Sequence, residues 1–305
     1  MTETPALDGL GEVISTPTPT AELVERVFAS ADLRPSTRAT YRHAAKTFIE
    51  WVGTRPLDPT VLAQYKKYLR ERTDLSAKTK NLYLAAVRSV FRQLFALGVL
   101  PFDASRFVKA FTISNGHRRP PITDAQVAKA FAAVRRQNDQ RLELILNLLY
   151  RQGLRQKEVV DLEVEHFDEH AATLLILGKG RDDRELVHLH PETVAAFVTF
   201  LNANERRTGY VFPSRKVRGG HLTTAMLYRL VCDHHRRCGI SNTPHSWRKV
   251  FASKLIESGM SLLDVQAYTR HRSVEQLKVY YDRLSLQKTL PTFYATFASQ
   301  AEGAR

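Results

Sequence analysis

The sequence predicts a mainly α-helical protein of two domains, with one small β-sheet in the second domain. Its 305 residues suffice for roughly two domains of about 100–200 residues each. Apolar residues recur at helical spacing over most of the chain, whereas only two short runs have strand character. The composition, 43% hydrophobic and 25% charged, is typical of globular proteins, so most of the chain is expected to fold.

Residues 1–20 are predicted to form a flexible leader, because threonine and proline are frequent there and no apolar period is present. The first ten residues lack the basic and then apolar pattern of a secretory signal. No apolar run approaches the ~18–20 residues of a membrane span. The two cysteines are too few for a disulfide framework. We therefore expect a cytoplasmic protein without a membrane partner.

Residues 21–113 are predicted to form the first domain, a bundle of three or four helices. Apolar side chains at helical spacing give each helix one face to bury. The third of these stripes stops at Gly98, a residue type that commonly ends helices. The stripes are Tyr41, Ala44, Ala45, Phe48 and Trp51; then Leu62, Tyr65 and Leu69; then Leu84, Val87, Phe91 and Leu94.

Positive charge is concentrated in the same part of the chain. The net charge is +14, and residues 34–119 hold seventeen Lys and Arg against five Asp and Glu. Basic side chains crowd the polar faces of two predicted helices, which favours a surface facing nucleic-acid phosphates over a merely solvated one. The candidate DNA-binding residues on these faces are Lys66, Lys67, Arg70, Lys80, Arg88 and Arg92.

A linker is predicted at residues 114–122, where Gly and Pro interrupt the helical pattern and Arg118 and Arg119 could follow a DNA backbone. The second domain, residues 123–305, opens with the capping-box spacing of Thr123 and Gln126. A buried helix with Leu142, Leu144, Ile145, Leu148 and Leu149 then ends at Gly153. Residues 172–177 and 185–189 read as strands around a turn-rich connector, and helices follow.

Three segments carry residue types suited to phosphoryl transfer. They are Gly153-Leu154-Arg155-Gln156-Lys157-Glu158, His245-Ser246-Trp247-Arg248, and His271 with Tyr280 nine positions after it. With Lys179 in the glycine-rich connector, this ordered set resembles the tyrosine recombinases, or phage integrase family, from about Thr37 to Tyr281. Each motif alone is weak, but together behind a basic helical domain they are specific.

The resemblance implies an N-terminal core-binding (SAM-like) helical domain and a C-terminal mixed α/β catalytic domain. It implies DNA cleavage and rejoining through a 3′-phosphotyrosyl intermediate, without metal, ATP or another cofactor. Arg155 and Arg248 would clamp the phosphate, since a planar guanidinium donates two parallel hydrogen bonds to phosphate oxygens. The other implied roles are Tyr280 as nucleophile, Lys179 as general acid, and Glu158 as support. His245 would accept a proton from the tyrosine or donate a hydrogen bond, and His271 would be the second histidine that bonds the phosphate.

Competing interpretations remain at several of these positions. Arg155 could simply pair with Glu158 in one helical turn, a role compatible with the catalytic one. Lys179 could be an exposed turn lysine. Tyr281, adjacent to Tyr280, points about 100° away on a helix and is expected to pack. Trp247 is expected in the core.

Two positions depart from the family pattern. Lys249 stands where His is frequent, and Arg270 stands where Gly usually precedes the second His. Arg270 is expected to change the backbone at that helix end. Cys232 and Cys238 do not form a metal site in this interpretation, because six positions along a helix turn the two thiols by about 600° onto different faces.

The implied partners are double-stranded DNA with paired inverted-repeat core sites and other copies of the chain in a tetramer, at the nucleoid. The apolar stripe Leu290, Phe293, Tyr294 and Phe297 could pass to a neighbouring subunit or pack on its own domain. The expected type is the two-domain recombinase without an arm-binding domain, acting in integration, excision or resolution of a mobile or other DNA element. The alternatives are a catalytically silent DNA-binding protein of the same fold and a monomeric type IB topoisomerase.

Overall fold

The computed structural model describes residues 20–31, 33–113, 121–178, 183–214, 216–278 and 294. These residues fall into two compact units, and the chain divides between them at residues 115 and 116. Helices dominate both units, and the second also contains a small sheet, which confirms the predicted fold class. None of the helices in the described ranges is long and apolar enough to cross a membrane.

The first unit is a helical bundle. Its helices are α1 (Ala21–Ser30), α2 (Pro35–Val52), α3 (Val61–Glu71) and α4 (Ala77–Ala96). The side chain of Ser76 caps α4 by accepting the backbone N–H of Thr79 at 3.1 Å. At the centre, the ring of Phe48 packs edge-on against the ring of Tyr65, and the two ring centroids are 5.0 Å apart. The predicted apolar stripes are buried, apart from Tyr41 and Trp51, which are half-buried.

The second unit packs its helices around a larger apolar core. They are α5 (Asp124–Arg136), α6 (Gln140–Tyr150), α7 (Gln156–Val160), α8 (Pro191–Ala203), α9 (Thr224–Arg237), α10 (His245–Glu257) and α11 (Leu262–Thr269). The predicted capping box is confirmed, since Thr123 and Gln126 satisfy each other's backbone N–H groups. All five apolar residues predicted on α6 are buried. Ile122, at the end of the predicted linker, lies in the same core.

A three-stranded antiparallel sheet lies between α7 and α8 in the chain. Its strands are β1 (Phe167–Asp168), β2 (Thr173–Leu177) and β3 (Arg184–His188), in that order across the sheet. The predicted hairpin is confirmed, with Leu174 opposite Val187 in its register. Strand β1 was not predicted, because two residues are too short to show an alternating pattern. Leu174 and Ile176 bury one face of β2 in the core.

Candidate active site

A tight turn after α6 brings the first arginine into position. Gly153 has a positive φ of 56°, and a Cβ built on it would lie 2.3 Å from Cδ1 of Phe251. Both the backbone conformation and the close packing therefore require glycine. The Gly153 carbonyl accepts hydrogen bonds from the guanidinium groups of Arg248 and Arg270. The turn thus joins three separate parts of the second unit immediately before Arg155.

Arg155 is the N-terminal cap of α7 and is held from two sides. Glu158 accepts its backbone N–H through Oε2 at 2.8 Å and its Nη1 through Oε1 at 2.5 Å. Arg155 Nη2 donates to the carbonyl of Arg270 at 2.8 Å. The Arg155 side chain is 26% exposed, whereas that of Glu158 is 1% exposed. The pairing therefore holds Arg155 with one edge still facing solvent.

Glu158 remains charged although it is buried. Burial by itself raises the pKa of this carboxyl. Arg270, the Arg155 backbone N–H and the Arg155 guanidinium outweigh that effect and hold the pKa below its usual value. The site therefore contains a buried anion between two cations.

Arg248 lies on the first turn of α10 and is 3% exposed. Its Nη1 donates to the Gly153 carbonyl and its Nη2 to the Thr269 carbonyl. Because Thr269 and Arg270 are consecutive, their carbonyls bring the guanidinium groups of Arg248 and Arg155 to the same short stretch of backbone. The two arginines of the predicted clamp are therefore neighbours.

Trp247 fixes the start of α10 and confirms the predicted core packing. The residue is fully buried, and its Nε1 donates to Nε2 of His235 at 2.8 Å. His235 Nδ1 then donates to the Asn242 carbonyl at 2.7 Å, since Nε2 is already the acceptor. This chain of hydrogen bonds fixes the helix that carries His245 and Arg248.

His271 follows α11 and makes a defined hydrogen bond. Its Nδ1 lies 2.6 Å from Oγ1 of Thr269, and that hydroxyl donates to the Val265 carbonyl at 2.6 Å. The hydroxyl has one proton, so Nδ1 must be the donor to Oγ1, and Nε2 carries the lone pair. Burial, followed by the charges of Arg248 and Arg155, lowers the pKa of His271 to about 4. The imidazole is therefore neutral at neutral pH, with Nε2 as a proton acceptor.

His245, the first residue of α10, keeps an exposed surface. Its pKa is lowered, first because surrounding protein displaces water from the ring and then because Lys249, Arg248 and Arg155 are nearby cations. The structure thus gathers four of the six predicted catalytic residues, Arg155, His245, Arg248 and His271, in one electrostatic environment. Lys179 and Tyr280 lie outside the described residues, as do Arg118, Arg119 and Tyr281.

Arg270 adds a residue whose place in the site was not predicted from the sequence. It adopts φ 52° and ψ 44°, the left-handed conformation that suits glycine at a helix end. Its side chain turns inward, is 5% exposed, and lies 3.2 Å from Glu158. The only sequence signal was a charged residue at a glycine position.

The candidate DNA-binding residues of the first unit differ in their surroundings. Lys80 donates to the Arg70 carbonyl at 3.0 Å, and Arg88 donates to the Ser105 carbonyl at 3.1 Å. Lys66 lies 5.4 Å from the ring centroid of Phe111. The side chains of Lys67, Arg70 and Arg92 are exposed. All six remain predictions for DNA contact.

The structure also describes the two cysteines and one residue of the predicted C-terminal apolar stripe. Within the described ranges no group of three His, Cys, Asp or Glu side chains is arranged to hold a metal ion. Cys238 is buried with Sγ 3.7 Å from Nε2 of His234, and Cys232 is half-buried. Of the predicted C-terminal stripe, only Tyr294 is described, and it is 63% exposed. Leu290, Phe293 and Phe297 lie outside the described residues.

Comparison with known proteins shows a site-specific recombinase of the tyrosine class, an enzyme that acts on DNA. The sequence profile described as the phage integrase family matches residues 121–286, more than half of the chain. The chain therefore belongs to the phage integrase family. The resemblance to the tyrosine recombinases and the recombinase function expected from the sequence are confirmed. The similar proteins do not favour a catalytically silent DNA-binding protein or a monomeric type IB topoisomerase.

Curated relatives extend the match beyond the second unit. The chain is 32% identical over 221 residues to tyrosine recombinase XerD of Mycobacterium tuberculosis, covering 68% of this chain and 70% of that protein. It is 25% identical over 276 residues to tyrosine recombinase XerD of Vibrio cholerae, covering 85% and 89%.

Solved structures show the same fold at low identity. The integrase of transposon Tn1549 in complex with transposon right end DNA aligns with a TM-score of 0.68 at 14% identity, covering 91% of this chain and 99% of that one. A lambda integrase dimer bound to a COC′ core site aligns with a TM-score of 0.64 at 18% identity, covering 83% and 95%.

Proposed function

We propose that this recombinase cleaves and rejoins DNA through a 3′-phosphotyrosyl intermediate, with Arg155 and Arg248 binding the phosphate at the cleavage site. The observation that carries the proposal is that both guanidinium groups reach consecutive carbonyls, Arg270 and Thr269, directly before His271. Two neighbouring guanidinium groups match a phosphate that gains negative charge during the reaction, and the neutral imidazole of His271 beside them supplies a proton acceptor.

Each chemical step has a residue to perform it. The Tyr280 hydroxyl attacks phosphorus, forming an O–P bond while the bond from phosphorus to the 5′-oxygen breaks. Nε2 of His271, or His245, accepts the tyrosine proton, and Lys179 protonates the leaving 5′-oxygen. Rejoining reverses these steps with a 5′-hydroxyl from the partner strand. Arg155, Arg248 and Lys179 supply the positive charge that a metal ion would otherwise bring.

The substrate in this proposal is double-stranded DNA with two inverted-repeat core sites, bound by four copies of the chain at the nucleoid. Residues 21–113 form the core-binding domain, residues 114–122 the linker and residues 123–305 the catalytic domain. Two observations support this assignment: the likeness to integrases bound to transposon DNA and to a core site, and the basic helices of the first unit. Exchange between such sites would serve integration, excision or resolution.

A strand-exchange assay tests the proposal. A binding site is first recovered from a random duplex library by its affinity for the full chain. Two labelled duplexes carrying that site are then incubated with the protein in EDTA. We expect recombinant duplexes, a covalent protein–DNA species and a site with inverted repeats. Relaxation of supercoiled plasmid without exchange would favour the topoisomerase, and binding with neither activity would favour the silent protein.

A further inference from the structure

Arg270 combines two features that are unfavourable by themselves. A residue with a Cβ is disfavoured in the left-handed conformation that Arg270 adopts. Its guanidinium is also removed from water, which lowers the pKa of this arginine and requires a compensating partner. Such an arrangement persists when the surrounding contacts hold it in place, and those contacts show what Arg270 does.

The contacts of Arg270 lead to Glu158. Its Nη2 lies 3.2 Å from Glu158 Oε2, and its Nη1 donates to the Tyr268 carbonyl at 2.9 Å. Nη2 also lies 3.4 Å from the Gly153 carbonyl. Glu185, on β3, is a second anion, but its effect on Arg270 is the weakest of the charged groups that act on it, behind that of Glu158. Glu158 therefore has a cation on each side, Arg155 and Arg270.

Charge balance shows why the second cation matters. If Glu158 had only Arg155 as its partner, that ion pair would be neutral and would offer a phosphate little attraction. With Arg270 present, the set of Arg155, Glu158 and Arg270 keeps one positive charge, and Arg155 is its more exposed cation. The Arg270 carbonyl also accepts Arg155 Nη2 at 2.8 Å, which sets the direction of that guanidinium.

We propose that Arg270 is a positioning residue that balances the negative charge of Glu158 and orients Arg155, so that the positive charge of Arg155 is not cancelled by Glu158 and is available to the DNA phosphate. This inference rests on the proposed function, because it assumes that Arg155 binds the phosphate. Arg270 itself does not touch the reacting atoms. It acts on cleavage through Glu158 and Arg155.

The test measures single-turnover cleavage of a nicked duplex carrying the selected site, with DNA affinity and thermal unfolding measured in parallel. Arg270→Gly keeps a residue suited to the left-handed conformation but removes the cation. We expect the cleavage rate at saturating DNA to fall about tenfold to a hundredfold. The affinity for DNA should stay within about twofold of wild type, because Arg270 acts on the cleavage step and not on DNA binding. Arg270→Lys, which retains the charge, should recover most of the rate.

A double variant separates this role from a merely structural one. Arg270→Gly with Glu158→Gln removes both the cation and the anion that it neutralises, so cleavage should be faster than in Arg270→Gly alone. Arg218→Gly, which removes an exposed arginine from a turn of the same unit, should cleave at the wild-type rate.

Different results would overturn the inference. Wild-type cleavage by Arg270→Gly, failure of Arg270→Lys to recover the rate, or a double variant no faster than Arg270→Gly would each contradict it. Failure of the proposed function looks different, because the wild-type protein itself would then form no covalent adduct with the duplex.

Discussion

The two units of the molecule use charged side chains in opposite ways. In the first unit the pair of Arg42 and Glu25 lies at the surface, where the two side chains are 50% and 49% exposed. In the second unit Glu158, Arg248 and Arg270 are buried together. Exposed pairs contribute about 0–1 kcal/mol to stability, whereas removing one partner of a buried pair costs about 3–5 kcal/mol. We therefore expect DNA binding by the first unit to be spread over many residues, and chemistry in the second unit to depend on a few.

Replacement of Arg248 should have the largest effect. Arg248→Ala removes a buried cation and the hydrogen-bond donors to the Gly153 and Thr269 carbonyls. We expect single-turnover cleavage to fall by about 10³-fold or more, equivalent to about 4 kcal/mol. The second unit should also unfold at a lower temperature. Arg248→Lys keeps the positive charge but loses the paired N–H donors of the guanidinium, so its cleavage rate should lie between those of wild type and Arg248→Ala. Cleavage by Arg248→Ala within tenfold of wild type would remove Arg248 from the clamp.

Core truncation in the first unit should change stability rather than chemistry. Phe48 packs against Tyr65 and Phe91 in the centre of the bundle. Phe48→Ala should lower the free energy of unfolding of that unit by about 3 kcal/mol. Hydrogen exchange measures this loss of stability, and exchange in α2, α3 and α4 should be faster in the variant than in wild type. Phe107→Ala is the control, because Phe107 is 85% exposed and its loss should change stability by less than about 0.5 kcal/mol. Equal exchange in the two variants would contradict this account of the core.

Surface cations of the first unit should act additively and modestly. Lys67 and Arg70 are exposed on α3. Replacing either with Ala should reduce the slope of log affinity against log salt by about 1, because one phosphate contact is lost. Arg236→Ala, which removes an exposed, ion-paired cation from α9, should leave the slope unchanged. Unchanged slopes for Lys67→Ala and Arg70→Ala would place the DNA on another surface.

The last expected effect is on the pH dependence of stability. The pKa of His271 is about 4 in the folded protein and about 6.5 when unfolded, so between these values the unfolded state binds the extra proton. The free energy of unfolding should therefore fall as the pH drops from about 6.5 to about 4. His234, His235 and His245 also have lowered pKa values and act in the same direction.

His271→Asn isolates this contribution, because the amide can replace the Nδ1 donor to Thr269 without titrating. In urea unfolding at a series of pH values, the variant should show a shallower decline than wild type over that range. Identical pH dependence in the two proteins would mean that His271 is not held neutral by the fold.

Local patterns predicted what depends on local physics. The stripe from Leu84 to Leu94 and the capping box at Thr123 follow from the helical period and from neighbouring backbone groups, and both are confirmed. The order of the motifs along the chain predicted the site residues, and the structure brings Arg155, His245 and Arg248 close enough to His271 to act on its charge.

The inward turn of Arg270 and the tautomer of His271 could not be predicted in the same way. Arg270 meets Glu158 across 112 positions of sequence, and Arg248 meets Gly153 across 95. The donor role of His271 Nδ1 depends on the Thr269 hydroxyl already donating to the Val265 carbonyl. Such features arise from tertiary contacts between distant segments, which no periodicity reports.

Covalent capture of the nucleophile tests the central claim most directly. On a nicked suicide duplex, the wild-type chain should form a 3′-phosphotyrosyl adduct on the peptide that contains Tyr280 and Tyr281. The nine-residue step from His271 selects Tyr280. Tyr280→Phe should therefore abolish the adduct without weakening DNA binding, and Tyr281→Phe should retain it. An adduct that survives in Tyr280→Phe and disappears in Tyr281→Phe would move the nucleophile, and no adduct in the wild-type chain would contradict the proposed chemistry.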